Sequence, residues 1–356
     1  MKNLKKEFPV LSQNTYLNTA SSGLLYDSLL DYRQEHDFDF LIEGSMFRDQ
    51  QEKQLNAVRE SIGTFLGCKL ENTILTPNFS LGFNTILNGL DKNQKILLLD
   101  EDYPSINFST ISKGFEICFA SANSSLEENI ENAISKHNPN IFAFSLVQYL
   151  NGITINLEFL KQLKLKNPDL LIIADGTQFC GTRVFDFNSS GIDILGCSGY
   201  KWLLGGYGNG FFLFKEGILE KITPDTYNKA VSSTNYDSSY TNLRARYECG
   251  HLDTFNFRSL QFSLEFLSKI GLPRIEENIQ ELANYAKTKL IASNLLETDV
   301  IERSNHSSIF NIKATKETYN SLKEKNIITS LRGNGIRISL HFYNTIDDID
   351  KLLANI

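Results

Sequence analysis

The sequence predicts an α/β protein: a mostly parallel sheet in a large domain covered by helices, followed by a smaller α+β C-terminal domain. Three observations predict it. Short apolar runs recur between residues 96 and 214 with little polar alternation, the pattern of strands covered on both faces. Stretches with apolar residues at helical spacing lie between those runs, as a parallel sheet requires. Past Thr254 the order changes to two long helices and then to strands and helices in alternation.

The runs at 96–100, 141–147, 170–175, 192–197 and 210–214 are rich in Ile, Leu, Val and Phe and read as strands. Helices are expected over 80–90, where Asn78 or Ser80 can cap the start, and over 125–137 and 157–166. Helices at 258–270 and 274–294 come next, separated by Gly271 and Pro273. A strand at 308–313, a helix at 315–325, a strand at 335–340 and a helix at 346–354 complete the chain. This places a large domain over 15–256 and a small one over 257–356, with segment 1–14 packing against the latter.

At 356 residues the chain is long enough to bury a sizeable core without disulfides or metals. Its net charge is −7, with both signs mixed along the sequence, whereas a nucleic-acid footprint needs clustered Lys and Arg. The expected partner is a small molecule. The five cysteines, Cys68, Cys118, Cys180, Cys197 and Cys249, are widely spaced and form no CxxC pair, so reduced thiols and no metal site are expected. No signal-peptide core or membrane-length apolar run is present, and a cytoplasmic location is expected.

Four segments carry candidate chemistry. In G-C-S-G-Y-K-W-L-L-G-G-Y-G-N-G, residues 196–210, Lys201 sits among apolar and glycine residues. Desolvation there favours the neutral amine that attacks carbonyls; a surface lysine beside a glycine turn would read the same way. Asp175 ends an apolar strand, where α/β sheets place ligands, although turn aspartates are common. T-P-N-F-S-L-G-F-N, residues 76–84, is a turn into a helix whose free N–H groups suit a phosphate or serve simple capping. Arg337, in R-G-N-G-I-R-I-S-L-H-F-Y-N-T, needs an anionic partner, either a substrate carboxylate or a structural acid.

Together and in this order, these segments resemble the class V aminotransferase family of fold-type I pyridoxal-phosphate enzymes, whose members include cysteine desulfurases, kynureninases and isopenicillin N epimerase-like proteins. The likeness runs from F-P-V-L and Y-L-N-T-A, residues 8–20, to I-R-I-S-L-H-F-Y-N-T-I-D-D-I-D near the end; D-G-T-Q together with S-G-Y-K is its most specific part. The resemblance implies that Lys201 is the Schiff-base lysine and moves the proton between the α-carbon and the cofactor's C4′. It implies Asp175 on the pyridine nitrogen, Gln178 on the phenolic oxygen, and Ser198 and Tyr200 on the phosphate. Phe79, through its backbone N–H, and Ser80 match the phosphate-cradling turn, and Tyr103 the ring stacked on the cofactor. Arg337 matches the grip on the substrate α-carboxylate, and Ala20 a residue lining the substrate side. Where the family often has a threonine reaching the other subunit's phosphate, this chain has His251. Gln148 and Tyr149, where relatives often have Ser-Asn, are left without a role.

For function, the resemblance implies a homodimeric enzyme acting on an α-amino acid or related amine in a transaminase-like reaction. The alternatives are epimerisation, or β- or γ-elimination as in kynureninase-like and C–S lyase-like members. A non-catalytic cofactor-binding homologue fits less well with intact Lys201, Asp175 and Arg337, and a nucleotide-binding protein lacks its glycine motifs. Because no cysteine lies between Gly250 and Ile336, a persulfide-forming cysteine desulfurase is disfavoured.

Overall fold

The computed structural model describes residues 2–222 and 243–356. Its centre is a seven-stranded sheet. The strands are β2 (Thr73–Thr76), β3 (Lys95–Leu99), β4 (Glu116–Ala120), β5 (Ile141–Ser145), β6 (Leu171–Asp175), β7 (Ile194–Ser198) and β8 (Gly210–Phe214). They lie in the order β2-β8-β7-β6-β5-β3-β4. The pairs among β4, β3, β5, β6 and β7 are parallel, while β8 is antiparallel to both β7 and β2. Every residue of β5, β6, β7 and β8 is buried, which is why their sequences show no alternation.

Three helices precede the sheet: α1 (Asp27–Glu43), α2 (Ser45–Asp49) and α3 (Gln51–Leu66). The helices α4 (Phe79–Asn88), α5 (Pro104–Ile111), α6 (Leu126–His137) and α7 (Leu157–Lys166) connect its strands. Asn78 caps α4 by accepting the Leu81 N–H at 2.9 Å, and Asn156 caps α7 in the same manner. Buried Leu55, Val58, Ile62 and Leu66 form one stripe of α3, against which the helix Thr254–Ile270 packs. The same stripe buries Arg59, whose Nε donates to Glu248 Oε1 at 3.0 Å; that oxygen also accepts the Leu75 N–H at 2.8 Å. This buried pair ties the segment before that helix to α3 and β2.

The C-terminal part contains the helices Thr254–Ile270 and Leu272–Ala292 and a three-stranded antiparallel sheet. Its strands are β9 (Ile309–Ile312), β11 (Ser330–Arg332) and β12 (Gly335–Ser339), in the order β11-β12-β9. The N-terminal segment joins this part. Strand β1 (Thr15–Tyr16) pairs in parallel with β10 (Ile327–Ile328), and Phe8 packs on Phe266, Phe342 and Tyr343. The main core lies under one face of the large sheet and continues into the C-terminal part. A second cluster, including Phe83, Ile86 and Phe212, lies on the opposite face. No helix among the described residues is long and apolar enough to cross a membrane.

Candidate active site

The site forms where the carboxyl ends of β5, β6 and β7 meet the start of α4, the position at which open α/β sheets take ligands. Directly after β7 the chain turns sharply. The Gly199 N–H donates to Asn209 O at 3.0 Å, the Gly205 N–H to Gly199 O at 2.9 Å, and Asn209 Nδ2 to Gly205 O at 2.8 Å. A Cβ on Gly199 would lie 2.1 Å from Asn209 Oδ1, so only glycine allows this approach. The Gly23 N–H holds Tyr200 O at 2.8 Å, and Ser263 Oγ holds Leu204 O at 3.0 Å. Lys201 is thereby fixed from three sides, and its side chain is 5% exposed.

The Lys201 amine faces the rings of Tyr103 and Tyr200, each 5.4 Å from its centroid. Burial lowers its ammonium to about 8, with the negative charge of Asp175 opposing and the positive charge of Arg337 adding to the shift. Asp175, at the end of β6, accepts the Thr177 N–H at 2.8 Å. Burial raises its carboxyl to about 6 against the hydrogen bonds from Thr177 and the nearby Lys201 charge.

Two cavities meet at Lys201. The first, of about 320 Å³, is lined by Asp175 and Gln178, by Ser198 and Tyr200, and by Asn78, Phe79 and Ser80 at the start of α4. The second, of about 490 Å³, is lined by Ala20, Ser21, Arg332 and Arg337. Lys201, Tyr103, Tyr149 and Tyr200 border both. Ten of the eleven residues singled out from the sequence thus line one continuous space. His251 does not; it is exposed and borders a separate cavity with His36 and Phe47 on α1 and α2.

The details refine several expectations. The Phe79 N–H donates to Ser198 Oγ at 2.9 Å, while its ring stacks on Phe83 and Phe212 in the core. Ser198 uses its oxygen as acceptor there and keeps its own proton for a ligand. Gln178 Nε2 donates to Ala20 O at 3.0 Å, and its Oε1 accepts the Trp202 Nε1–H at 2.7 Å, leaving one amide N–H for the cavity. Arg337, 3% exposed, donates from Nη1 to Tyr149 O at 2.8 Å and from Nη2 to Ser21 Oγ at 2.7 Å. Its Nε has no partner, and no carboxylate lies within ion-pair distance among the described residues. Burial lowers its guanidinium to about 10, with Arg332 adding to the shift.

Sequence reasoning missed Asp102, Thr177 and Arg332 and gave Tyr149 no role. Asp102 is fully buried; it accepts the Ser145 N–H at 2.7 Å and the Tyr103 N–H at 2.6 Å, which fixes the backbone under the Tyr103 ring. Its adjacency to Tyr103 was the available signal. Gln148 braces its own loop by donating to Glu101 O and accepting the Leu150 and Asn151 N–H groups.

A buried amine whose ammonium is lowered to about 8, a buried acid across the same cavity and an arginine beside it with no acid partner among the described residues match the needs of a carbonyl-bearing cofactor. Its ring nitrogen would meet Asp175, and its phosphate would meet the helix start with Ser198. Fold and site together define a fold-type I pyridoxal-phosphate enzyme. The family model described as aminotransferase class-V matches residues 42–352, and the chain belongs to that family.

A probable cysteine desulfurase of Ureaplasma parvum is 25% identical, with 100% of this chain and 97% of that protein covered. Isopenicillin N epimerase of Amycolatopsis lactamdurans is 23% identical, over 83% of this chain and 82% of its own length. Among solved structures, a complex of the cystine C–S lyase C-DES with its reaction product cysteine persulfide superposes with a TM-score of 0.84. It is 18% identical, and 98% of each chain is covered.

These relatives overturn one expectation. The sequence disfavours a persulfide-forming cysteine desulfurase, because no cysteine lies between Gly250 and Ile336. Relatives named probable cysteine desulfurase nevertheless match the chain over its full length. A missing loop thiol does not decide the matter, because carbon–sulfur cleavage at the cofactor and sulfur capture are separate steps, and the acceptor can be a small molecule.

Proposed function

We propose that the protein breaks the carbon–sulfur bond of a sulfur-containing α-amino acid, using pyridoxal phosphate held on Lys201. The observation that carries the reading is that one buried amine borders both the cavity of Asp175 and the cavity of Arg337. The names of the relatives support the choice of a sulfur substrate.

When bound, the cofactor supplies an electron sink that lets a bond at the substrate's α-carbon break heterolytically. The residues supply the rest. Asp175 would pair with the ring nitrogen and favour its protonated form, and Gln178 has one free N–H that would serve the ring oxygen. Ser198, Tyr200 and Ser80 would hold the phosphate, the Phe79 N–H being engaged by Ser198 Oγ and so positioning that hydroxyl rather than meeting the phosphate itself, while Tyr103 would cover one face. Arg337, whose Nη1 and Nη2 already hold Tyr149 O and Ser21 Oγ, would meet the α-carboxylate with its free Nε and a remaining N–H, with Ala20 lining that side. Lys201, its ammonium lowered to about 8 by burial, would take the α-proton and can return it. His251, remote from this space within one chain, contributes only across a homodimer.

Transamination is the second reading, favoured by the same lysine, which can return its proton to the cofactor instead of the substrate. Incubating holoenzyme with cysteine, cystine, alanine and 2-oxo acids separates the two. Pyruvate and ammonia are expected, with sulfide from cysteine and cysteine persulfide from cystine; with an added thiol as sulfur acceptor, cysteine would instead give alanine and the persulfide of that thiol. Conversion of the cofactor to its amine form without sulfur release favours transamination, and no spectral response to any amino acid removes both.

A further inference from the structure

The second cavity contains an arginine for which binding of a single α-carboxylate has no use. Arg332 lies on β11, at the tip of the hairpin it forms with β12. In that hairpin Ser330 is opposite Arg337 and Arg332 is opposite Gly335. Side chains two apart on a strand share a face, so Ser330, Arg332 and Arg337 point to the same side. Ser330 and Arg337 both reach Ser21, which fixes that side as the one facing the cavity.

The hairpin is built to present Arg332. Gly333 and Asn334 form a two-residue loop, and Gly333 has φ +56, which suits glycine at the first loop position. Gly335 carries no side chain opposite Arg332, and a Cβ there would lie 2.3 Å from Ile312 O. Arg332 is exposed at the mouth and Arg337 buried at the base.

The charge of the cavity is one-sided. Among the described residues its lining holds Lys201, Arg332 and Arg337 and no Asp or Glu, although the chain as a whole carries −7. Arg332 forms no ion pair with a carboxylate among the described residues. It is also close enough to act on the charge states of Arg337, Tyr149 and Lys201. One α-carboxylate engages Arg337 and leaves Arg332 without a partner.

We infer that the substrate is an amino acid with a second carboxylate on its side chain, read by Arg332 at the cavity mouth while Arg337 holds the α-carboxylate. Diagonal neighbours across an antiparallel pair sit roughly 7–8 Å apart, so a short chain with an acid at each end spans the two guanidinium groups. Within the sulfur chemistry proposed above, a disulfide joining two amino acids has this form, because its distal half carries its own carboxylate. The inference rests on that reading only for the placement of the α-carboxylate at Arg337.

The test uses holoenzyme and two non-reacting probes, glutarate and butyrate, with binding measured by calorimetry. Glutarate should bind roughly tenfold or more tightly than butyrate. Arg332→Gln should abolish that difference and leave butyrate affinity unchanged, while Arg332→Lys should keep part of it. Equal affinity for both acids in the wild type, or an equal loss for both in Arg332→Gln, overturns the inference. Failure of the underlying reading shows itself separately: Arg337→Gln would then leave butyrate affinity untouched, and both assignments fall.

Discussion

The Trp202 indole N–H donates to Gln178 Oε1 at 2.7 Å, and this bond sets which way the Gln178 amide faces in the cavity. Trp202 is the next residue after Lys201, and its backbone oxygen accepts the Nε2–H of His341 at 3.1 Å. A chain of hydrogen bonds therefore runs from the C-terminal part, through the lysine turn, to Gln178 and Ala20.

Trp202→Phe removes the donor and leaves a buried amide oxygen without a partner, at a cost of about 1–3 kcal/mol. Denaturant unfolding of the apoprotein should show that loss. Pyridoxal phosphate should also bind more weakly, because the Gln178 amide is then free to rotate. Unchanged cofactor affinity would show that its orientation does not matter.

Lys201→Ala should abolish turnover and covalent attachment of the cofactor, while Asp175 and the phosphate cradle remain. Borohydride treatment followed by mass analysis reads this directly. The wild type should retain the cofactor mass after denaturation and the variant should not; a variant that still carries it would place the attachment elsewhere.

Arg337→Gln should weaken amino acids by about 1.5–3 kcal/mol, the range for a hydrogen bond to a charged group. Simple amines without a carboxylate should be affected far less. Titrating the cofactor spectrum with an amino acid and its decarboxylated amine measures both, and equal losses would remove the carboxylate role.

His341 gives the apoprotein an acid-sensitive element. Fully buried, it donates from Nε2 to Trp202 O and accepts the Phe342 N–H at Nδ1, which fixes the neutral tautomer. Burial lowers its pKa from 6.5 to about 3. The unfolded chain therefore takes up a proton that the folded one refuses, and the contribution present above pH 6.5 is lost as pH falls toward 3. Asp175, raised to about 6, acts in the opposite sense between its ordinary value and 6, because there the folded state holds the extra proton. The His341 effect is isolated by comparison with His341→Gln, which should show a shallower fall in urea midpoint from about pH 7 to about pH 5. Parallel slopes would assign the acid sensitivity to other groups.

Much of the framework was legible. The strand Gly210–Phe214 and the helix Leu157–Lys166 begin and end where the patterning placed them, and the other buried strands differ by one or two residues. Strands covered on both faces must be apolar throughout, so their signal is strong. The helix Asp27–Glu43 gave no comparable signal, because it leaves Phe38, Phe40, Leu41 and Ile42 exposed and has no clean apolar stripe. Strands β2 and β4 were missed as well: β2 is short, and β4 is an edge strand with an exposed residue at Phe119. The antiparallel direction of β8 was also not legible, since a covered strand carries the same apolar signature in either direction.

In the site, Lys201, Asp175 and Arg337 were readable because a charged residue inside an apolar run must be used or paired. Asp102 and Arg332 were not readable in this way. Asp102 lies in an ordinary acidic turn, and Arg332 sits in a polar hairpin like many surface arginines.

The sequence alone determined which residues must be buried and which of them are chemically out of place there, because burial and charge are local properties written in composition and spacing. Only the tertiary structure decided which of those residues share a space. The approach of Ser21 to Arg337, of Gln178 to Trp202 and of β1 to β10 depends on pairings between distant parts of the chain, set by packing that no local pattern encodes.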